Sequence, residues 1–142
     1  MSEKKIFIVE DDVDILYGLS AQLEAEDFLV ETSDGDEELD ALLQSIVDCD
    51  PDYIILDLIL PKLDGFEVLK KIKEEAELSD IPVFIFTDLS DEDSRQRSLN
   101  LGADQYFLKD DFDIYQFAEK IKKIIANQDD SVGADDLDSA LD

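Results

Sequence analysis

The sequence contains no histidine and only one cysteine, Cys49, in 142 residues. Because imidazole is missing, Ser/His/Asp triads, Cys/His catalytic pairs and histidine-ligated zinc sites are all excluded. A single cysteine cannot form an internal disulfide, and this is typical of proteins from a reducing compartment. We interpret Cys49 as a buried packing residue in preference to a reactive thiol.

Basic residues are also scarce: 12 Lys and Arg stand against 39 Asp and Glu, and the formal net charge is -27. Such a charge repels phosphate backbones and anionic lipids, so we expect no binding to nucleic acid or to membrane surfaces. Cations and other proteins are the expected partners. The hydrophobic fraction of 44% is still sufficient for the core of one domain of ordinary size.

Long apolar runs are missing from the chain. The longest, from Tyr53 to Leu60, is interrupted by Asp57 and is far shorter than the roughly 20 residues that span a bilayer. No signal peptide is visible, because the N-terminus leads directly into the short apolar run from Ile6 to Val9. We therefore expect a cytoplasmic protein.

Five short segments of β-forming residues alternate with five longer amphipathic segments. The predicted strands run from Ile6 to Val9, Phe28 to Thr32, Tyr53 to Leu56, Val83 to Phe86 and Gln105 to Leu108. The predicted helices run from Val13 to Glu26, Asp36 to Val47, Phe66 to Leu78, Asp91 to Leu101 and Phe112 to Asn127. Three of the strands are almost continuously apolar, as in parallel strands buried on both faces. The alternation predicts an α/β fold with a doubly wound parallel sheet.

Polar residues mark the predicted helix starts. Asp12 is the predicted N-cap of the first helix, and Ser90 with Asp93 resembles a capping box before the fourth. The two arginines of the chain, Arg95 and Arg97, fall in the fourth helix. We interpret them as solvated charge in preference to partner contacts.

The composition changes near the C-terminus. Residues 127–142 contain six acids and no base. We predict one folded domain over residues 1–126, followed by an acidic extension that is either mobile or forms one short helix through Leu137, Ala140 and Leu141.

Polar residues follow four of the predicted strands. Glu10 and Asp11 follow the first, Asp57 ends the third, Thr87 ends the fourth and Lys109 follows the fifth. In open α/β sheets, ligands bind beyond the carboxyl ends of the strands, so these side chains are the candidates for a site. The acids near residue 10, taken alone, are more typical of a helix start than of a site; the charge of Asp57 in an apolar run favours a site.

Carboxylates crowded at one edge of a sheet require a positive partner, and Mg²⁺ prefers oxygen ligands. We predict Asp11 and Asp57 as direct ligands, Glu10 as the holder of a metal-bound water, and the backbone carbonyl of Ile59 as a further ligand. An aspartate at such a site can accept a phosphoryl group, whose oxygens need neutralising contacts. In this scheme the Lys109 ammonium covers one phosphoryl oxygen.

A family resemblance rests on four separated motifs: the pair Glu10-Asp11, the segment from Asp57 to Gly65, Thr87, and the segment from Gly102 to Lys109. Together they resemble the receiver domains of two-component response regulators, the CheY-like superfamily, over roughly residues 4 to 126. The resemblance implies a flavodoxin-like (βα)5 fold with strand order 2-1-3-4-5 and Mg²⁺ at the acidic pair.

The resemblance also implies how such a protein works. Asp57 accepts a phosphoryl group from a sensor histidine kinase or phosphotransfer protein, the Thr87 hydroxyl turns toward that group, and the aromatic ring of Tyr106 moves inward. We expect a stand-alone response regulator that signals by protein-protein interaction and is no enzyme beyond a slow self-dephosphorylation. The output partner is unknown; the fourth helix, fifth strand and fifth helix are the expected output and homodimer surface, and Ile15 and Leu19 the expected kinase contacts.

The sequence departs from the family pattern at two positions. Asp110 follows Lys109 where the family usually has proline, and Asp88 follows Thr87 where it usually has a small residue. These departures keep open a receiver that serves as a scaffold without being phosphorylated. A phosphohydrolase that uses Asp57 as nucleophile is less favoured, because the second aspartate it needs two positions later is Ile59.

Overall fold

The computed structural model describes the backbone of residues 3–141 and the side chains of residues 3–128. Its strands are β1 (Lys5–Val9), β2 (Leu29–Ser33), β3 (Tyr53–Leu56), β4 (Val83–Thr87) and β5 (Gln105–Leu108). Its helices are α1 (Val13–Ala25), α2 (Leu39–Cys49), α3 (Gly65–Glu74), α4 (Glu92–Asn100) and α5 (Ile114–Leu141), with a 3-10 turn at Lys109–Asp111.

All strand pairs are parallel, and their order is β2-β1-β3-β4-β5. The predicted doubly wound α/β sheet is therefore confirmed. The order reverses between β1 and β3, so a crevice opens at the carboxyl ends of these two central strands.

Two apolar layers cover the sheet because successive side chains of a strand point to opposite faces. Phe7 packs with α2 and α3 on one face, and Ile8 packs with α1 and α5 on the other. Cys49 is buried in the first layer, as predicted. Burial raises the pKa of its thiol to about 11, with the charge of Glu31 adding to the shift, so the thiolate is disfavoured at neutral pH.

Aspartates cap four of the helices, including α5, where the side chain of Asp113 accepts a hydrogen bond from the Gln116 amide at 2.7 Å. The side chain of Asp12 accepts hydrogen bonds from the first turn of α1, as predicted, and Asp64 does the same for α3. The predicted cap of α4 is wrong by one residue: Asp91, and not Ser90, accepts a hydrogen bond from the Ser94 amide at 3.0 Å.

Several helix ends differ from the predicted ranges. Helix α2 begins at Leu39 and not at Asp36, because Gly35 has a positive φ and Asp34 accepts a hydrogen bond from the Asp36 amide in a turn. Helix α5 is longer than predicted and its backbone is helical to Leu141, while the side chains beyond residue 128 lie outside the described set. The predicted division of the chain at residue 126 stays a prediction. Within residues 3–141, no helix has the length and apolarity to cross a bilayer.

Candidate functional site

The predicted site residues lie at the carboxyl edge of the sheet. Glu10, Asp57 and Thr87 have exposures of 2%, 3% and 0%. Asp11 is exposed to solvent, and the side chain of Lys109 is 10% exposed. The edge therefore combines buried carboxylates with one open carboxylate.

Lys109 joins two of the carboxylates. Its Nζ lies 2.8 Å from Asp57 Oδ2 and 3.0 Å from Glu10 Oε1. Burial opposes the charge of the ammonium group, but the hydrogen bonds and charges of Asp57 and Glu10 outweigh it and hold the pKa of Lys109 above its ordinary value. Lys109 is therefore a fixed cation at neutral pH.

Glu10 is the most strongly perturbed acid of the site. Burial, with the negative charge of Asp57 adding to it, raises the pKa of Glu10 to about 8; Lys109 opposes the shift. Glu10 also accepts a hydrogen bond from the Asp12 amide at 3.2 Å. One lysine does not compensate fully for two buried carboxylates.

Glu10, Asp11 and Asp57 each place a carboxylate oxygen within 4.8 Å of the others. With Lys109 ionised, these groups leave two negative charges uncompensated when all three acids are ionised. A divalent cation would neutralise this excess, and an all-oxygen donor set suits Mg²⁺. The residues present therefore fit the predicted cation. The role of the Ile59 carbonyl as a metal ligand stays a prediction, because the hydrogen bond from Ile59 to Asp57 is donated by its amide.

The loop after β3 holds Asp57 in place. Its Oδ1 accepts a hydrogen bond from the Ile59 amide at 3.1 Å, which leaves Oδ2 for Lys109. At the end of the loop the Gly65 amide donates to the Leu58 carbonyl at 3.2 Å. A Cβ on residue 65 would overlap the backbone of Leu58, so only glycine lets α3 begin this close to β3.

Thr87 and Tyr106 meet at the backbone of Leu89. The Leu89 amide donates to Thr87 Oγ1 at 3.4 Å, and the Tyr106 hydroxyl donates to the Leu89 carbonyl at 2.6 Å. Burial, followed by the charge of Asp91, raises the pKa of Tyr106, so its hydroxyl stays protonated. The two predicted switch residues are thus connected through the backbone of one residue, a connection that the sequence did not indicate.

The structure describes both departures from the family pattern, Asp88 and Asp110. Asp88 is exposed, so its carboxylate is solvated. The bond between Lys109 and Asp110 is trans, since the described residues contain no cis peptide bond.

The surroundings of the site correct two sequence interpretations. Leu19 is 1% exposed and cannot contact a kinase, because it faces the sheet from α1. Arg97 is not simply solvated: its guanidinium carbon lies 4.1 Å from the centroid of the Phe66 ring. Residue spacing carried no signal for that contact, because it depends on how α3 and α4 approach each other.

A cavity of about 620 Å³ lies between α1 and the start of α5, beside Lys109. Ile15, Gly18 and Ile114 line it. Tyr115 also lines it and is exposed, and further exposed apolar side chains lie on α1 and in the loop after β3: Val13, Tyr17 and Ile59. An apolar surface therefore borders the buried charges.

Known proteins share the sequence pattern. The family model for the response regulator receiver domain matches residues 6–122. The chain is 35% identical over 125 residues to the response regulator ArlR of Staphylococcus aureus, covering 87% of this chain and 53% of ArlR. It spans about half the length of the curated relatives it matches, between 40% and 53%.

Two solved structures share the fold. The phosphorylated cyanobacterial phytochrome response regulator RcpA is 32% identical with a TM-score of 0.75, covering 89% of this chain and 94% of that one. The Mn²⁺-bound form of the response regulator Rcp1 is 28% identical with a TM-score of 0.72, covering 84% of this chain and 91% of that one. The match over residues 6–122 and the shared fold show that the chain belongs to the response regulator receiver domain family.

Proposed function

We propose that the chain accepts a phosphoryl group on Asp57 from a sensor histidine kinase or phosphotransfer protein, and signals by phosphorylation-dependent protein-protein interaction. The observation that carries this proposal is the placement of Asp57 at the switch point of the sheet, 2.8 Å from the ammonium nitrogen of Lys109 and in one acidic group with Glu10 and Asp11. Phosphoryl transfer needs a nucleophile among fixed positive groups, and this arrangement supplies both.

In the transfer, a carboxylate oxygen of Asp57 attacks the phosphorus atom of the donor. A new oxygen-phosphorus bond forms, the bond between phosphorus and the donor nitrogen breaks, and its electron pair stays on that nitrogen. Lys109 remains protonated and can move from the carboxylates to a phosphoryl oxygen. The Thr87 hydroxyl oxygen accepts a hydrogen bond from the Leu89 amide, so the hydroxyl hydrogen of Thr87 is available to a second phosphoryl oxygen.

Asp11 and Asp57 would hold Mg²⁺ directly, with Glu10 at a bound water and the Ile59 carbonyl as a further ligand. The cation, when bound, supplies charge neutralisation for the carboxylates and the incoming phosphoryl group. The Mn²⁺-bound form of Rcp1 and the phosphorylated RcpA support this assignment by analogy.

The donor protein would dock beside the site on the apolar end described above. Tyr17 is 68% exposed and Tyr115 is 60% exposed, and large exposed side chains of this kind are typical of contact surfaces. Ile15, half-buried in the cavity wall, keeps its proposed place in kinase selection.

Output would pass through α4, β5 and α5, and homodimerisation through the same surface is part of the proposal. Tyr106 belongs to this surface, and its hydroxyl donates a hydrogen bond to the Leu89 carbonyl in the loop that follows Thr87. The stand-alone character and the cytoplasmic location predicted from the sequence stay predictions. The chain would be a phosphoacceptor and not an enzyme that turns over substrate.

Two other functions remain as alternatives. Asp88 and Asp110 keep open a scaffold that is never phosphorylated: Asp88 adds a carboxylate directly after Thr87, and Asp110 replaces the usual proline after Lys109. A phosphohydrolase is disfavoured, because Ile59 has no side chain for acid-base catalysis.

Labelling by a small acyl phosphate tests the proposal. The wild-type protein, incubated with Mg²⁺ and the donor, should gain the mass of one phosphoryl group, and Asp57→Asn should not. Asp12→Asn is the matched control, since it changes the same charge nearby and asparagine still caps a helix. An unlabelled wild type would sink the phosphoacceptor in favour of the scaffold, whereas multiple turnover of phosphate esters would indicate the hydrolase.

A further inference from the structure

An arginine on α4 is stacked on the first turn of α3. The guanidinium carbon of Arg97 lies 4.1 Å from the centre of the Phe66 ring, within the range of a favourable cation–π contact. Phe66 is 9% exposed, so its ring is a fixed surface for the guanidinium group.

Helix α4 has few other attachments to the domain. Ser98 is its buried residue, and the Ser98 hydroxyl donates to the Arg95 carbonyl of the same helix. Leu99 is half-buried and packs at the margin of the core. The contact of Arg97 therefore joins α4 to α3, in addition to the packing of α4 against β5.

Phe66, in contrast, is tied closely to the phosphoacceptor loop. Its amide donates to Asp64 Oδ1 at 2.9 Å, and the preceding Gly65 amide donates to the Leu58 carbonyl at 3.2 Å. Leu58 directly follows Asp57. The backbone of Phe66 is thus held against the loop that carries Asp57.

We propose that Arg97 is a positioning residue, which through Phe66 couples the position of α4 to the loop of Asp57. A displacement of α4 relative to α3 must separate the guanidinium group from the ring, so the contact stabilises the arrangement seen here. Removing the contact between Arg97 and Phe66 should make both α4 and the loop of Asp57 less rigid. In its regulatory part this inference rests on the proposed function, in which output passes through α4: a displacement of α4 linked to phosphorylation of Asp57 should become easier without the contact.

The experiment compares Arg97→Met, Phe66→Leu and the double variant in the full chain. Arg95→Met is the matched control, because Arg95 lies on the same helix, is exposed and has its described ion pair with Glu92 of that helix at 3.4 Å. One measurement is hydrogen exchange of the amides in residues 92–101 and 58–66 without phosphate. The other is the rate of labelling by a small acyl phosphate, followed by intact mass.

We expect both single variants to raise exchange in both segments and to speed labelling by about two- to fivefold, the change that corresponds to an exposed cation–π contact. The double variant should match Phe66→Leu, because removal of the ring already removes the contact of Arg97. Arg97→Lys should keep part of the contact, so its exchange and labelling rates should lie between those of the wild type and Arg97→Met. Arg95→Met should change neither measurement.

Two outcomes would overturn the inference: faster exchange in α4 alone, which would confine the effect of Arg97 to its own helix, or equal effects from Arg95→Met. Faster exchange in both segments with unchanged labelling would overturn its regulatory part. A wild type that cannot be labelled is a different result. It removes the proposed function and the regulatory part, while coupled exchange of the two segments would still establish the mechanical connection.

Discussion

Lys109 Nζ lies 2.8 Å from Asp57 Oδ2, and the two side chains are 10% and 3% exposed. The pair connects the ends of β3 and β5 across the intervening β4, so it depends on the whole sheet. Because Glu10 shares the same ammonium group, one positive charge faces two buried carboxylates.

Replacing Lys109 by methionine should destabilise the protein without Mg²⁺. The change leaves the buried carboxylates of Asp57 and Glu10 without their cation, and we expect a loss of about 1–3 kcal/mol in the free energy of unfolding. Urea unfolding with and without Mg²⁺ measures it. Added Mg²⁺ should recover part of the loss; an unchanged stability in chelator would contradict the described ion pair. Lys70→Met, on the exposed side of α3, is the control.

The stability of the metal-free protein should fall as pH rises from about 4.5 to 8. The pKa of Glu10 is raised from 4.5 to about 8 in the folded protein, so the folded state keeps a proton that the unfolded chain releases. This stabilisation is complete below the unfolded pKa and is lost as pH rises through the folded pKa.

The contribution of Glu10 is measured as the difference between the wild type and Glu10→Gln, in chelator, at pH 5 and pH 8. We expect the wild type to lose up to about 4 kcal/mol more than the variant between these values. Mg²⁺ should reduce this extra loss of stability, because a bound cation favours the ionised carboxylate of Glu10. Identical dependence of stability on pH in the wild type and in Glu10→Gln would contradict the raised pKa of Glu10 in the folded protein.

Asp11→Asn should weaken Mg²⁺ binding by tenfold or more and leave the fold intact. Asp11 is the exposed member of the acidic group, so its charge is available to a cation and is not required for packing. Titration calorimetry gives the affinity, and unfolding in chelator gives the stability. Asp12→Asn should bind Mg²⁺ nearly as well as the wild type; an equal loss in both variants would indicate a general charge effect.

Gly65→Ala should cost about 1–3 kcal/mol or more, because its Cβ would overlap the backbone of Leu58 and neither side can move freely. Gly18→Ala is the comparison: its Cβ would lie 2.8 Å from Ile114 Cδ1, the end of a flexible side chain. We expect the second variant to lose clearly less stability in urea unfolding. Equal costs would mean that the start of α3 is more adaptable than its contacts indicate.

Tyr106→Phe should loosen the loop between β4 and α4. The variant removes the 2.6 Å hydrogen bond to the Leu89 carbonyl and should cost about 1 kcal/mol. Hydrogen exchange of residues 88–91 should become faster. Tyr17→Phe, at a hydroxyl-bearing ring that is 68% exposed, should change neither stability nor exchange.

Sequence pattern was sufficient for the sheet and for the composition of the site. Buried parallel strands are short apolar runs, so their ends are visible, and the residues that follow them share one edge of any sheet built from them. For this reason Asp57 and Lys109 could be placed near each other although 52 residues separate them.

Helix ends were less predictable, because several polar residues compete for each cap. Ser90 and Asp91 are both good caps, and only the backbone angles of the loop after β4 select Asp91. Leu19 has the same apolar character as Ile15, and which of them is buried depends on how α1 is rotated against the sheet.

The sequence alone therefore determined the α/β class, the strand order expected from the family resemblance, and the set of chemical groups at the carboxyl edge, because these follow from local periodicity and from position along the chain. Tertiary structure decided the interactions between those groups. That Lys109 serves two carboxylates, that Leu89 joins Thr87 to Tyr106, and that a ring of α3 supports Arg97 all depend on side-chain directions and helix packing. These are set by the three-dimensional fit of distant segments, which residue spacing does not encode.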